Sequence, residues 1–96
     1  MSEPLTVDHF RDAVDEPFTA EADGAGAVEL VLAEARGLGR TFQDREAFVL
    51  MFRGPQEPFL PQATYRLTHA GVGAHEIFIV PVARSDAGYD YEANFV

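Results

Sequence analysis

Cysteine and lysine are both missing from this 96-residue chain. Without cysteine there are no disulfides, thiolate metal sites, iron–sulfur clusters or cysteine nucleophiles. Without lysine, all seven basic residues being arginine, Schiff-base chemistry and a Walker-type phosphate loop are closed as well. Serine is scarce: Ser2 stands at the terminus and Ser85 in a loop, neither beside a plausible triad partner. No apolar run approaches the roughly 20 residues of a membrane span, and no basic segment leads into an apolar one as in a signal peptide. The cytoplasm is therefore the expected location.

Hydrophobic residues make up 47% of the chain, which places it well outside a disordered composition despite a net charge of −9. Ninety-six residues suffice for one domain with a single core. The charge is uneven. Residues 1–34 carry nine acids and one arginine, residues 35–84 six arginines and four acids, and residues 85–96 three acids. An acidic surface repels phosphate, so neither nucleic acid nor an anionic membrane is an expected partner; the partner is the chain itself or another protein.

Periodicity gives the elements. Leu5–Val14 places Val7, Phe10 and Val14 at helical spacing, with Thr6 as N-cap and Asp8 in the first turn. Pro17–Ala22 alternates with period two, and Asp23 to Gly26 has the glycines of a tight hairpin. Val28–Ala35 reads as the next strand. Arg36–Glu46 reads as a connection anchored by Phe42.

Ala47–Arg53 is apolar on both parities, and so is His75–Val82, where Pro81 marks an edge or a bulge. Between them lie a proline-rich loop, Gly54–Pro61, and a cleanly alternating strand, Gln62–His69. Tyr89–Val96 alternates once more. About six antiparallel strands after one short helix define a mainly β domain, a small meander barrel or sandwich. The expected core is Phe18, Leu30, Phe48, Leu50, Phe52, Tyr65, Leu67, Phe78, Val80, Tyr91 and Phe95.

Candidate sites follow. If Phe78 and Val80 face inward, Val49, Met51, Ile77 and Ile79 form an outward apolar patch. That patch is either covered by the helix bearing Val7 and Phe10 or is an interface with a second protein. His69 and His75 flank the Gly71–Gly73 turn at a spacing that could pair their imidazoles on a metal, but a structural role at strand ends is the more ordinary use, and neither a metal site nor a cofactor is expected. Arg36, Arg40 and Arg45 could cradle an anion, against the simpler use of neutralising Glu34, Asp44 and Glu46. Tyr65, His69, Tyr89 and Tyr91 could line a small-ligand pocket inside the barrel. No carboxylate or histidine stands out as a general acid or base, so catalytic residues are not assigned and enzymatic activity is not expected.

Four blocks are also familiar together: Phe48-x-Leu50-x-Phe52-Arg53-Gly54-Pro55, Leu60-x-Gln62-x-x-Tyr65-x-Leu67-x-His69, Ile77 to Val82, and Tyr91-Glu92-Ala93-x-Phe95. In them the chain resembles a family of small bacterial domains of unknown function. The resemblance implies no reaction, and it leans toward an accessory role near phage-tail-like proteins. The expectation is a non-catalytic structural or accessory interaction module; the alternative is a small-ligand-binding barrel that could also be an enzyme, with its pocket near Tyr65, His69, Tyr89 and Tyr91.

Overall fold

The computed structural model describes residues 7–22, 26–42, 45–57 and 59–95, with the side chains of residues 22, 40, 42 and 45 left aside. One helix, α1 (Val7–Arg11), precedes six strands: β1 (Pro17–Ala22), β2 (Gly26–Phe42), β3 (Arg45–Gly54), β4 (Ala63–His69), β5 (Gly73–Ser85) and β6 (Gly88–Phe95). They close into a barrel in the order β1-β2-β3-β6-β5-β4, all neighbours antiparallel. Within it, β1–β3 and β4–β6 are two three-stranded meanders. The segment between β3 and β4 joins them by crossing the barrel end. Closure removes the open edges that two doubly apolar strands would otherwise present.

Inward side chains alternate as the pleat requires: Phe18 and Ala20, Val28, Leu30 and Leu32, Phe48, Leu50 and Phe52, Leu67, Ile77 and Ile79, Tyr91 and Ala93 are all buried. Both ends are stoppered. At one, Phe10 of α1 is fully buried, its ring 5.9 Å from Phe48, 6.0 Å from Phe95 and 6.3 Å from Phe18. Phe48 and Phe95 stack beneath it at 4.4 Å with 5° between planes. At the other end the crossing segment inserts Leu60, whose main-chain N–H donates to Tyr91 Oη at 3.0 Å. Tyr65 Oη donates to the Pro61 carbonyl at 2.6 Å and pins the same segment.

Two glycines allow that end to close. A Cβ on Gly54 would lie 2.7 Å from Leu30 Cδ2, and one on Gly88, where φ is +135°, would lie 1.9 Å from the Gly54 carbonyl oxygen. The β5–β6 hairpin thus rests directly on the backbone of the β3 exit, and Gln56 Nε2 donates to the Asp86 carbonyl across the same junction.

Several expectations are corrected. The helix spans Val7–Arg11, and Thr6 lies outside the described residues, as do Asp23 to Ala25 of the expected hairpin. Arg36–Phe42 is not a connection: β2 runs on to Phe42, with register shifts between Leu32 and Glu34 and between Gly37 and Thr41. The irregularity that glycine and arginine suggest is taken up as distortion of a strand. Pro81 does mark a register shift, which lies between it and Ala83 on β5.

The largest correction concerns β5. Ile77 and Ile79 are 2% and 0% exposed and face the core, whereas Phe78 is 50% exposed and Val80 half-buried on the outer side. The cause is the loop. His69 pairs with Gly73, leaving the three residues Ala70, Gly71 and Val72 between the strands, so odd-numbered residues oppose odd-numbered ones. Leu67 faces inward opposite His75, Tyr65 is opposite Ile77 and Ala63 opposite Ile79. With a three-residue loop the isoleucines must follow Leu67 into the core.

Candidate functional site

The outer face of β5 carries two of the four exposed large hydrophobic side chains among the described residues, Phe78 and Val82, the others being Val31 and Phe59. Phe78, Val80 and Val82 follow one another at two-residue spacing, and Val82 is 49% exposed in the register shift beside Pro81. Thr64 stands opposite Phe78 on β4, and Glu92 opposite Val80 on β6. Glu92 also opposes Met51 of β3, and Asn94 Nδ2 donates to its Oε1 at 2.8 Å. Met51 is half-buried, while Val49 is 6% exposed and paired with Arg36 on β2 and Asn94 on β6. The expected patch of Val49, Met51, Ile77 and Ile79 therefore does not exist as one surface. Phe10, expected to help cover it, packs instead on the inward-facing rings of Phe18, Phe48 and Phe95.

The imidazoles serve the turn between β4 and β5. His69 Nδ1 accepts the N–H groups of Gly71 at 2.9 Å and Val72 at 3.0 Å. Two donors on Nδ1 place the ring proton on Nε2, which therefore donates to Glu16 Oε1 at 2.6 Å. The ring stacks on Phe18 at 4.7 Å. His75 Nε2 donates to the Val72 carbonyl at 2.9 Å. With both nitrogens of His69 and Nε2 of His75 engaged in this way, the pair is not aimed at a shared ion. No group of three or more His, Asp or Glu side chains is disposed to hold a metal among the described residues.

Beside this turn lies a groove of about 400 Å³ lined by Asp8, His9, Asp12, Ala13, Glu16, His69, Gly71 and Val72. Composition alone does not reveal it, because its walls come from α1, the approach to β1 and the β4–β5 turn. Arg11 Nη1 donates to Asp8 Oδ1 at 2.7 Å on the exposed side of the helix.

Of the four residues expected around an interior pocket, the three tyrosines gather at the end closed by Leu60 and Pro61, and His69 stands away from them. Tyr91 is fully buried and holds Leu60, Tyr89 packs against Phe59 at 4.9 Å and against Tyr91 at 6.3 Å, and Tyr65 holds Pro61. His69 sits apart, against Phe18 and Glu16. Burial pushes the Tyr91 hydroxyl above its ordinary pKa of 10.0, opposed by the Leu60 hydrogen bond, and burial also raises Tyr65. Neutral tyrosines with backbone partners are structural pins. Ser85 is likewise a turn residue, its Oγ accepting from the Ala87 N–H at 3.2 Å. Arg36 lies 3.5 Å from Glu34, as expected for neutralisation, while the side chains of Arg40 and Arg45 fall outside the description.

These features define a closed, six-stranded antiparallel barrel with two stoppered ends and an apolar stripe on its outer wall. The chain belongs to a family described as a domain of unknown function, DUF6916, whose profile matches residues 5–95. No curated protein matches it, and no solved structure does. Among the described residues no helix is long and apolar enough to cross a membrane.

Proposed function

We propose that this domain is a non-catalytic protein–protein interaction module, a structural or accessory part of a larger assembly, that docks through the outer face of β5. The observation that carries this reading is the stripe itself: Phe78 and Val82, each about half exposed, flank Val80 on a rigid strand. Aromatic and branched apolar side chains fixed on such a scaffold suit a docking surface, because little side-chain freedom remains to be lost on binding. The filled interior also favours the outer wall over a ligand chamber, since Phe18, Phe48, Phe52, Leu50 and Tyr91 occupy the barrel centre.

The partner in this reading is a protein, either a second copy or a different chain. The net charge of −9 disfavours nucleic acid and anionic membranes. A phage-tail-like assembly, toward which the four-block resemblance leans, is a context that a small, rigid, closed domain fits.

The test is molar mass by light scattering over about a hundredfold dilution, for wild type and for Phe78→Glu with Val82→Glu. A multiple of the 10.5 kDa chain mass that collapses to a monomer in the variant, with unchanged melting temperature, is expected for self-assembly. For a wild-type monomer, a photo-crosslinker placed at position 78 reports a different partner. Unchanged association in the variant, or no crosslink at position 78, refutes this docking face.

A further inference from the structure

We infer that the β4–β5 turn is an acid-sensitive latch, closed by neutral His69 and opened when Nδ1 takes a proton. The closed form requires a lone pair on Nδ1, because the Gly71 and Val72 N–H groups both donate to it. A proton there replaces an acceptor with a donor facing two donors, and both bonds are lost. The contact with Glu16 responds in the opposite sense. Nε2–H already donates to that carboxylate at 2.6 Å, and a positive ring turns the bond into a hydrogen-bonded ion pair.

Acid therefore leaves His69 tied to Glu16 and releases Gly71 and Val72. The charged and titratable groups that line the groove together with His69 are Asp8, Asp12, Glu16 and His9. His75 donates to the Val72 carbonyl in either protonation state, so it holds one point of the turn without restoring the two lost bonds. Gly71 and Val72 are also one wall of the 400 Å³ groove, so release of the latch alters the shape of the groove while leaving the barrel closed.

The barrel remains closed because the β1–β4 pairs Thr19 with Thr68, Ala20 with Leu67 and Glu21 with Arg66 do not use the imidazole. Selective opening thus separates this mechanism from general acid unfolding.

The experiment is nitrogen-detected imidazole spectroscopy with amide hydrogen exchange, from pH 8 to pH 4.5, on the full chain. At pH 8 Nδ1 of His69 is expected bare and Nε2 protonated. As the ring charges, protection at Gly71 and Val72 should fall about tenfold after correction for intrinsic exchange, with Ala20 and Leu67 unchanged. In His69→Phe, which keeps a ring on Phe18, both turn amides should be unprotected at every pH. In Glu16→Gln, which retains an acceptor but removes the charge, both turn amides should stay protected at pH 8, since neither bond to Nδ1 involves residue 16. The latch is overturned if Nδ1 carries the proton at pH 8, if the ring charges while Gly71 and Val72 stay protected, or if His69→Phe protects them as wild type does.

Discussion

Tyr91 Oη accepts the Leu60 N–H at 3.0 Å inside the barrel, so a strand residue satisfies the backbone of the segment that closes its own end. The buried, bonded hydroxyl has two measurable consequences. Tyr91→Phe leaves a buried N–H without its partner and should cost about 1–3 kcal/mol at neutral pH by urea unfolding.

The second consequence is alkaline. Burial raises the folded-state pKa of Tyr91 above 10.0, so as pH rises the unfolded chain loses its proton first. The stabilisation is complete below the unfolded value and is lost as pH climbs from there through the folded one. Urea midpoints at pH 9 and pH 11 should fall less in Tyr91→Phe than in wild type. An equal fall in both proteins would place the alkaline sensitivity elsewhere.

Phe10 and Phe78 make a second contrast, since both are aromatic and only one is buried. Phe10→Ala removes the stopper from three rings and should cost about 3–5 kcal/mol, lowering the melting temperature by more than about 12 °C. Phe78→Ala should stay within about 0.5 kcal/mol of wild type. Circular dichroism melts decide both.

Neighbouring positions on β5 separate more sharply still. Ile79→Asp buries a carboxylate in the barrel and should abolish the cooperative melt, whereas Phe78→Asp should retain it. Equal tolerance at the two positions would contradict the inward parity of the isoleucines.

Gly88 and Gly26 both have positive φ, +135° and +72°, but differ in surroundings. Alanine at 88 collides with the Gly54 carbonyl, and a loss of more than about 3 kcal/mol is expected. Alanine at 26 meets nothing within 4 Å and should cost about 1–2 kcal/mol for its backbone conformation alone. Thermal unfolding of the two variants gives the comparison.

How far the sequence carries differs from strand to strand. Where one parity is polar, as in Thr64, Arg66 and Thr68 of β4, alternation identifies the inner face directly. Where both parities are apolar, as in β5, it cannot, and the face is decided by a loop of three residues that local glycines permit without requiring. The inner sides of β3 and β6 are legible because Phe48, Leu50 and Phe52 outweigh Val49 and Met51 in size, and Tyr91 and Ala93 alternate with Glu92 and Asn94. The groove by His69 is not legible, since it joins residues 8–16 to residues 69–72 only after the barrel closes. The same holds for the roles of the histidines, whose spacing says nothing of which nitrogen meets which backbone group.

The β1–β4 seam has a consequence for how the chain reaches this structure. Its three pairs join Ala20 and its neighbours to Leu67, far along the chain, while the other five strand contacts include four hairpins between sequential neighbours. Local hairpins form on short loops, and the distant pairs carry the greatest closure entropy. The β3–β6 seam is also distant in the chain, and until both seams have paired the sheet is not yet a cylinder and keeps exposed margins. During that interval, crowding by other copies is a greater hazard than it is to the finished fold.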